Sequence, residues 1–278
     1  MINFDFEYCK PKTWAEAIKQ YNNYRSQNKQ VMYVAGATEF ISRARMDEVN
    51  PEVIIDIKEI QECRVIHQQN SELIIGAAVT LTNVADSNVF PLLTKVVKQI
   101  ATKTERNKIT IGGNLMSNLP YKEGILPFLL ADSKIVIATD KGLEKRSILQ
   151  VFTDSINLRD GEFIVQIITD IEIIKQPFFT EKRTKQSSVN YPILTSAAIK
   201  VDGLTRVAFS GLCPYPFRLQ QIENLVNDPS VKGEKRIQKI MKQLPAPIVE
   251  DMHATQKYRA FVFERIVSKI IEQMEAVS

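Results

Sequence analysis

The sequence predicts an α+β protein made of two unequal parts, and three observations lead there. A chain of 278 residues with 44% apolar content can bury one large core or two modest ones. Short β-branched runs alternate with segments of helical spacing along most of its length. A polar, basic stretch interrupted by Pro177, "QPFFTEKRTKQSSVN" from Gln176 to Asn190, is the best candidate boundary.

The elements follow in order. Thr13 with Glu16 three residues on has capping-box spacing, so a helix begins after Thr13. "QVMYVA" is a strand that breaks at Gly36, and "TEFISRARM" resumes with helical spacing, making "AGATE" a strand-to-helix turn. "EVIIDI" is a further strand, and "CRVIHQQ" with "ELIIGA" flanks a hairpin turn at Asn70–Ser71. "PLLTKVVKQIATK" starts with Pro91 at a favoured first helical position. "TIGGNL" reads as a turn, followed by a short helix around "GILPFLLA". Strands "KIVIAT" and "EKRSI" then pair about "DKG", and "EFIVQIITDIEI" is a long strand. Beyond the boundary lie strands "PILTSAAIKV" and "LTRVAFSGL", a helix from about Phe217 to Val226, and a final helix within "ATQKYRAFVFERIVSKIIEQME".

Composition narrows the function. The net charge is +4, but the basic residues are dispersed among nearly as many acids, which argues against nucleic acid as a partner. Cys9, Cys63 and Cys213 are odd in number and far apart, so neither a disulfide framework nor a metal or iron–sulfur site of the chain's own is expected. "MINFDFEYCK" has acids where a signal peptide needs basic and apolar residues, and no run is long enough to span a bilayer. A cytoplasmic chain with no membrane contact is expected. His67 and His253 have no metal-ligand spacing, no nucleophile elbow occurs, and neither a catalytic residue nor a metal is assigned.

What remains is the pair of glycine turns, "AGATE" and "TIGGN". Glycine permits positive φ and removes the Cβ that would hold a ligand away, so successive amides can converge on an anion. A helix opening at "AGATE" adds its free N-terminal amides and dipole. By spacing alone, each loop is more often a plain turn than a phosphate site.

The ordered series "YVAGATEF", "VIIDI", "LIIGAAVTLTNVADS", "TERNKITIGGNL", "PYKEGILPFLLADSKIVI", "EKRTKQSSVNYPILTSAA", "CPYPFR" and "YRAFVFERI" resembles the FAD-binding medium subunit of the molybdenum hydroxylases. That family includes xanthine and carbon monoxide dehydrogenases. The resemblance implies a two-part FAD-binding domain of the vanillyl-alcohol-oxidase (PCMH) type over 1–175, with parts of about 1–58 and 59–175. A smaller C-terminal α+β domain over 176–278 would follow. It implies that the two loops hold the FAD pyrophosphate through Ala35, Gly36, Ala37, Thr38 and Glu39 and through Thr110, Gly112, Gly113 and Asn114. Glu123 stands where the family usually has an aspartate near the cofactor, and Lys182 matches a lysine close to the flavin ring.

As implied partners come a molybdenum-cofactor subunit and a [2Fe–2S] subunit of the same complex. FAD would pass electrons from iron–sulfur centres to NAD or another acceptor. The chain departs from the family at Ala37, Glu39, Leu119 and Glu123, and a Cβ at Ala37 opposes positive φ. Two alternatives therefore stay open. One is an assembly subunit with weakened or lost FAD binding; the other is a stand-alone flavoenzyme, disfavoured by the missing acid–base set.

Overall fold

Three sheets organise the protein, each laid down by one contiguous stretch of chain. The computed structural model describes residues 2–186 and 191–277.

The first stretch runs β1 (Glu7–Cys9), α1 (Trp14–Ser26), β2 (Val31–Val34), α2 (Thr38–Arg45), β3 (Val53–Asp56). All pairing is parallel with β3 in the centre, which is why "VIID" is apolar and buried throughout. Thr13 Oγ1 accepts from the Glu16 amide at 3.1 Å and starts α1 as its spacing predicts. The Glu16 carboxylate reaches one residue past the cap and accepts from Lys12 N at 2.9 Å.

The second stretch begins with the hairpin β4 (Ile66–Gln69) and β5 (Glu72–Gly76), turned by Asn70 and Ser71 at φ 49° and 65°. Then come α3 (Leu81–Ser87), α4 (Pro91–Val97), α5 (Lys103–Arg106), α6 (Ile111–Met116) and α7 (Leu126–Leu130). The strands β6 (Lys134–Thr139) and β7 (Gly142–Ser147), α8 (Ile148–Val151), β8 (Phe163–Asp170) and α9 (Ile171–Ile174) complete it. Its sheet has the order β4-β5-β8-β6-β7, all antiparallel.

Three expectations change here. The helix from Pro91 ends at Val97, and after Ala101 at φ 50° a new helix opens with a full capping box between Thr102 and Glu105. "TIGGNL" is the helix α6 rather than a bare turn, with Thr110 as its N-cap. The long strand stops at Asp170, whose carboxylate accepts from Glu172 N at 2.8 Å and caps α9.

The third stretch holds β9 (Phe178–Thr184), β10 (Pro192–Val201), β11 (Leu204–Ser210) and β12 (Phe217–Arg218), then α10 (Gln220–Val226), α11 (Gly233–Met241) and α12 (Gln256–Glu275). The sheet order is β12-β11-β10-β9. Thus "QPFFTEKRT" is not a linker: seven of its residues form an edge strand paired with β10. It reads as polar although Phe178 packs against the main core and Phe179 sits in the second apolar cluster, because its remaining residues are polar and Lys182 is buried only through its pairing. Residues 187–190 of the expected boundary lie outside the described residues. The helix expected from Phe217 begins at Gln220, because Phe217 and Arg218 pair with Phe209 and Ala208.

The main core ignores the expected boundary. Leu73, Ile75, Leu92, Phe128, Ile135 and Ile167 share one apolar cluster with Ala197, Ile199, Val201 and Ala208 of the third stretch. A second cluster lies under α12, where Val262, Phe263, Ile266, Val267 and Ile270 recur at helical spacing against Phe179, Leu194 and Phe209.

Arg259, on α12, is fully buried. Its guanidinium donates to the carbonyls of Ile193 (2.5 Å) and Gly211 (2.7 Å) and to both Asp251 oxygens at 2.7 Å. Replacing it by Met leaves these acceptors without donors and the Asp251 charge unpaired. Arg259→Met should lower stability by about 3–5 kcal/mol, read as a reduced urea midpoint.

Candidate cofactor site

The first predicted loop lies where β2 ends. Ala35, Gly36 and Ala37 link β2 to α2, in which Thr38 and Glu39 are the first two residues. Ala37 is the N-cap in the left-handed region, φ 54° and ψ 10°, and no side chain caps the helix. Among the described residues, the amides of Gly36, Ala37, Thr38 and Glu39 have no hydrogen-bond acceptor in the protein. Four successive free donors around a left-handed residue at a helix start form a nest for an anion.

Gly36 is required by contact. A Cβ there would lie 2.0 Å from the Lys108 carbonyl oxygen and 3.2 Å from Thr110 N, so the first loop rests directly on the approach to the second. Its φ is not positive.

The second loop is built differently. Thr110 is buried, and its Oγ1 accepts from Gly113 N at 3.2 Å. Ile111 N donates to Val79 O (2.8 Å), Gly112 N to Ala77 O (2.9 Å) and Asn114 N to Thr110 O (2.9 Å). A Cβ on Gly112 would meet the Ala77 Cβ at 2.7 Å. The glycines therefore let α6 seat against the chain after β5. Neither adopts positive φ, and the amides of 111–114 are already spent inside the protein. In the second loop only the Thr110 amide has no acceptor among the described residues, so the run of successive free amides belongs to the first loop.

Glu39 bridges the two. Its carboxylate accepts from Ser117 Oγ at 2.6 Å and Asn118 N at 3.1 Å, with Arg43 at 3.9 Å. Asn114 Oδ1 accepts from Gly124 N at 3.0 Å, tying α6 to the segment that carries Glu123.

Glu123 and Lys182 meet each other. Both side chains are buried, with Nζ 3.2 Å from the carboxylate; Glu123 also accepts from Thr195 Oγ1 at 2.6 Å, and Lys182 donates to Gln99 O at 2.7 Å. Burial pushes the Glu123 carboxyl above the usual range, while the Lys182 ammonium opposes this. Sequence reasoning placed both residues near the cofactor; the structure makes them a clamp between the second and third stretches.

The cysteines and histidines stay apart. Cys9, Cys63 and Cys213 are free, and burial pushes the Cys63 and Cys213 thiols up to about 12 and about 11. No cluster of three metal-ligating side chains occurs among the described residues, nor is any of their helices long and apolar enough to cross a membrane. The His253 ring meets Tyr191 edge-on at 5.9 Å, and Tyr191 stacks on Tyr121 at 4.8 Å. Ser117, Asn118 and Thr195 carry no motif and were invisible in the sequence, since their roles come from contacts across 72 or more residues.

The family described as the FAD binding domain in molybdopterin dehydrogenase matches residues 4–169. This chain belongs to that family. It is thus a flavoprotein component of an oxidoreductase, with FAD as its cofactor. The nicotinate dehydrogenase FAD-subunit of Eubacterium barkeri is 27% identical over 80% of this chain and 79% of that one. A xanthine dehydrogenase FAD-binding subunit of Escherichia coli O157:H7 is 22% identical, covering 99% of this chain and 98% of its own. Among solved structures, carbon monoxide dehydrogenase from Hydrogenophaga pseudoflava superposes with a TM-score of 0.86 at 22% identity, covering 99% of both chains. That likeness bears on the fold, which is the two-domain α+β arrangement of these flavoproteins.

The nest at Gly36–Glu39 fits the cofactor's chemistry, because a pyrophosphate needs several donors on one side and no Cβ wall between. Two outcomes follow for the two glycine loops. Gly112→Val should cost stability, because its side chain would enter Ala77; a lowered melting temperature without added FAD checks this. Ala37→Gly should raise stability by up to about 1 kcal/mol in the same melt, by relieving left-handed strain.

Proposed function

We propose that this chain is the FAD-bearing electron-transfer subunit of a molybdenum hydroxylase. Its partners in that reading are a molybdenum-cofactor subunit and a [2Fe–2S] subunit, and the final acceptor is NAD or another oxidant. When bound, FAD supplies the two-electron relay between the iron–sulfur centres and that acceptor. The reading rests chiefly on the run of unbonded amides from Gly36 to Glu39, in a chain that belongs to the flavin-binding family. The curated relatives named as nicotinate and xanthine dehydrogenase FAD subunits support it.

The residues divide the work in this proposal. Gly36, Ala37, Thr38 and Glu39 present backbone donors to the pyrophosphate, with Ala35 shaping the entry. Thr110, Gly112, Gly113 and Asn114 form the wall behind it: Gly113 and Asn114 bond to the cap Thr110, while the Ile111 and Gly112 amides hold α6 against Val79 and Ala77 and so fix where the first loop stops. Glu123 and Lys182 hold the third stretch against that wall. We place the division between FAD-binding and C-terminal domains at about residue 176, just before β9.

One observation favours the second reading, an assembly subunit with weakened FAD binding. Ala37 carries a Cβ at φ 54°, where glycine is the unstrained residue. An absorbance scan of the purified chain, before and after incubation with FAD and desalting, separates the two. Retained flavin bands near stoichiometry are expected. A colourless protein that takes up no flavin would sink the electron-transfer reading, whereas uptake only by Ala37→Gly would favour the second.

A further inference from the structure

The strand β9 ends its sheet, and no strand pairs beyond it among the described residues. Lys200 N donates to Pro177 O at 2.9 Å, and the register that follows sets Phe179 against Ala198 and Glu181 against Ser196. Bonded residues alternate in an antiparallel ladder, so the backbone groups of Phe178, Thr180, Lys182 and Thr184 turn outward, away from β10. The irregularity near this end falls on β10, between Pro192 and Leu194, and leaves the alternation of β9 intact. None of the outward amides or carbonyls has a hydrogen-bond partner among the described residues. An open edge seven residues long is a template for another strand.

The side chains select which strand. Glu181 and Arg183 stand on the face that α12 covers, where Lys269 meets Glu181 and Phe179 joins the cluster beneath the helix. Charges of one sign on an edge would repel a second copy; these two have opposite sign and lie two residues apart. A twofold axis through the Lys182 backbone sets Glu181 opposite Arg183 of the second copy, and Arg183 opposite its Glu181. It also aligns outward backbone with outward backbone, Thr180 with Thr184 and Lys182 with Lys182, as the ladder requires. The Lys182 side chains lie on the other face, each held by its own Glu123.

The helix α12 adds a second contact. It runs antiparallel to β9: Arg259 donates to Ile193 O near the Thr184 end, Lys269 pairs with Glu181, and Met274 O accepts from Lys200, near the Phe178 end. The outer stripe Tyr258, Phe261, Arg265 and Lys269 lines a groove of about 640 Å³ with Glu181 and Arg183. Tyr258 and Phe261 stack on each other at 6.4 Å, yet remain 50% and 53% exposed. The same twofold lays this stripe against its copy in the opposite direction, so that the aromatic end of one meets the Lys269 end of the other.

We propose that this chain forms a twofold dimer through β9, whose open edges join into one sheet continuous across both copies, with the outer stripes of the two α12 helices packed over the junction. Backbone pairing supplies the attraction, the exchange between Glu181 and Arg183 fixes the register, and the aromatic ends of α12 supply the apolar centre of the interface. None of these residues belongs to the glycine loops, so association is expected with or without FAD.

Sedimentation of the full-length chain over a range of concentrations tests this, with thermal melts to show that each variant is folded. Wild type should sediment as a dimer. Arg183→Glu sets Glu181 against a second carboxylate, and Glu181→Arg sets Arg183 against a second guanidinium, so each variant alone should dissociate roughly tenfold more readily. An equal mixture of the two variants restores opposite charges at both positions and should recover the dimer. Phe261→Asp, on the exposed stripe, should weaken association by a similar factor and keeps the comparison open if a charge variant fails to fold. A wild type that stays monomeric, or a dimer that all three variants leave intact, would overturn the interface. Charge variants that dissociate but do not recover on mixing would overturn the twofold pairing of β9.

Discussion

The site depends on how closely two stretches of backbone approach at Gly36. A methyl group there would occupy the position of the Lys108 carbonyl, so any other residue pushes the first loop away from Thr110. That contact puts the Gly36–Glu39 amides at a fixed place relative to α6, and α6 is itself fixed by hydrogen bonds from Ile111 and Gly112 to the chain leaving β5. The sheet of the second stretch therefore sets the position of a loop that belongs to the first. Backbone donors held this way cost no reorganisation when an anion arrives.

A second constraint runs from the same region to the end of the chain. The Lys182–Glu123–Thr195 link crosses between stretches and is almost wholly removed from water. Such a pair contributes little net stability against an apolar replacement, but removing one partner strands a buried charge. Its value lies in specifying one arrangement. Combined with the core shared by Leu73, Ile167, Ala197 and Ile199, it makes the third stretch part of the wall rather than an appendage.

The strands and the main helices were legible because their periodicity is local: "VIID", "KIVIAT" and the apolar stripe of α12 report their burial directly. Thr13 and Pro91 marked helix starts through capping chemistry that acts within one turn. The strand β9 has the composition of a linker because it is an edge strand rich in Thr, Lys, Arg and Glu, and the burial of Lys182 depends on Glu123, far off in sequence. The two glycine loops were found, but the reason for their glycines was not. Spacing cannot distinguish a glycine needed for positive φ from one needed for room, and only the neighbours Lys108 and Ala77, distant in sequence, decide it.

Glu39 shows how charge is managed where the sequence suggested conflict. A carboxylate on the first turn of a helix beside an anion site would oppose a phosphate by Coulomb repulsion if it faced the nest. Here it turns to Ser117 Oγ and Asn118 N, with Arg43 behind it, so its negative charge is taken up by donors from the opposite segment. The same contact joins the free-amide loop to the stretch leading to Glu123. The one carboxylate that could have weakened the site thus becomes the strut that holds its two sides together, and its charge is spent on geometry rather than on the ligand.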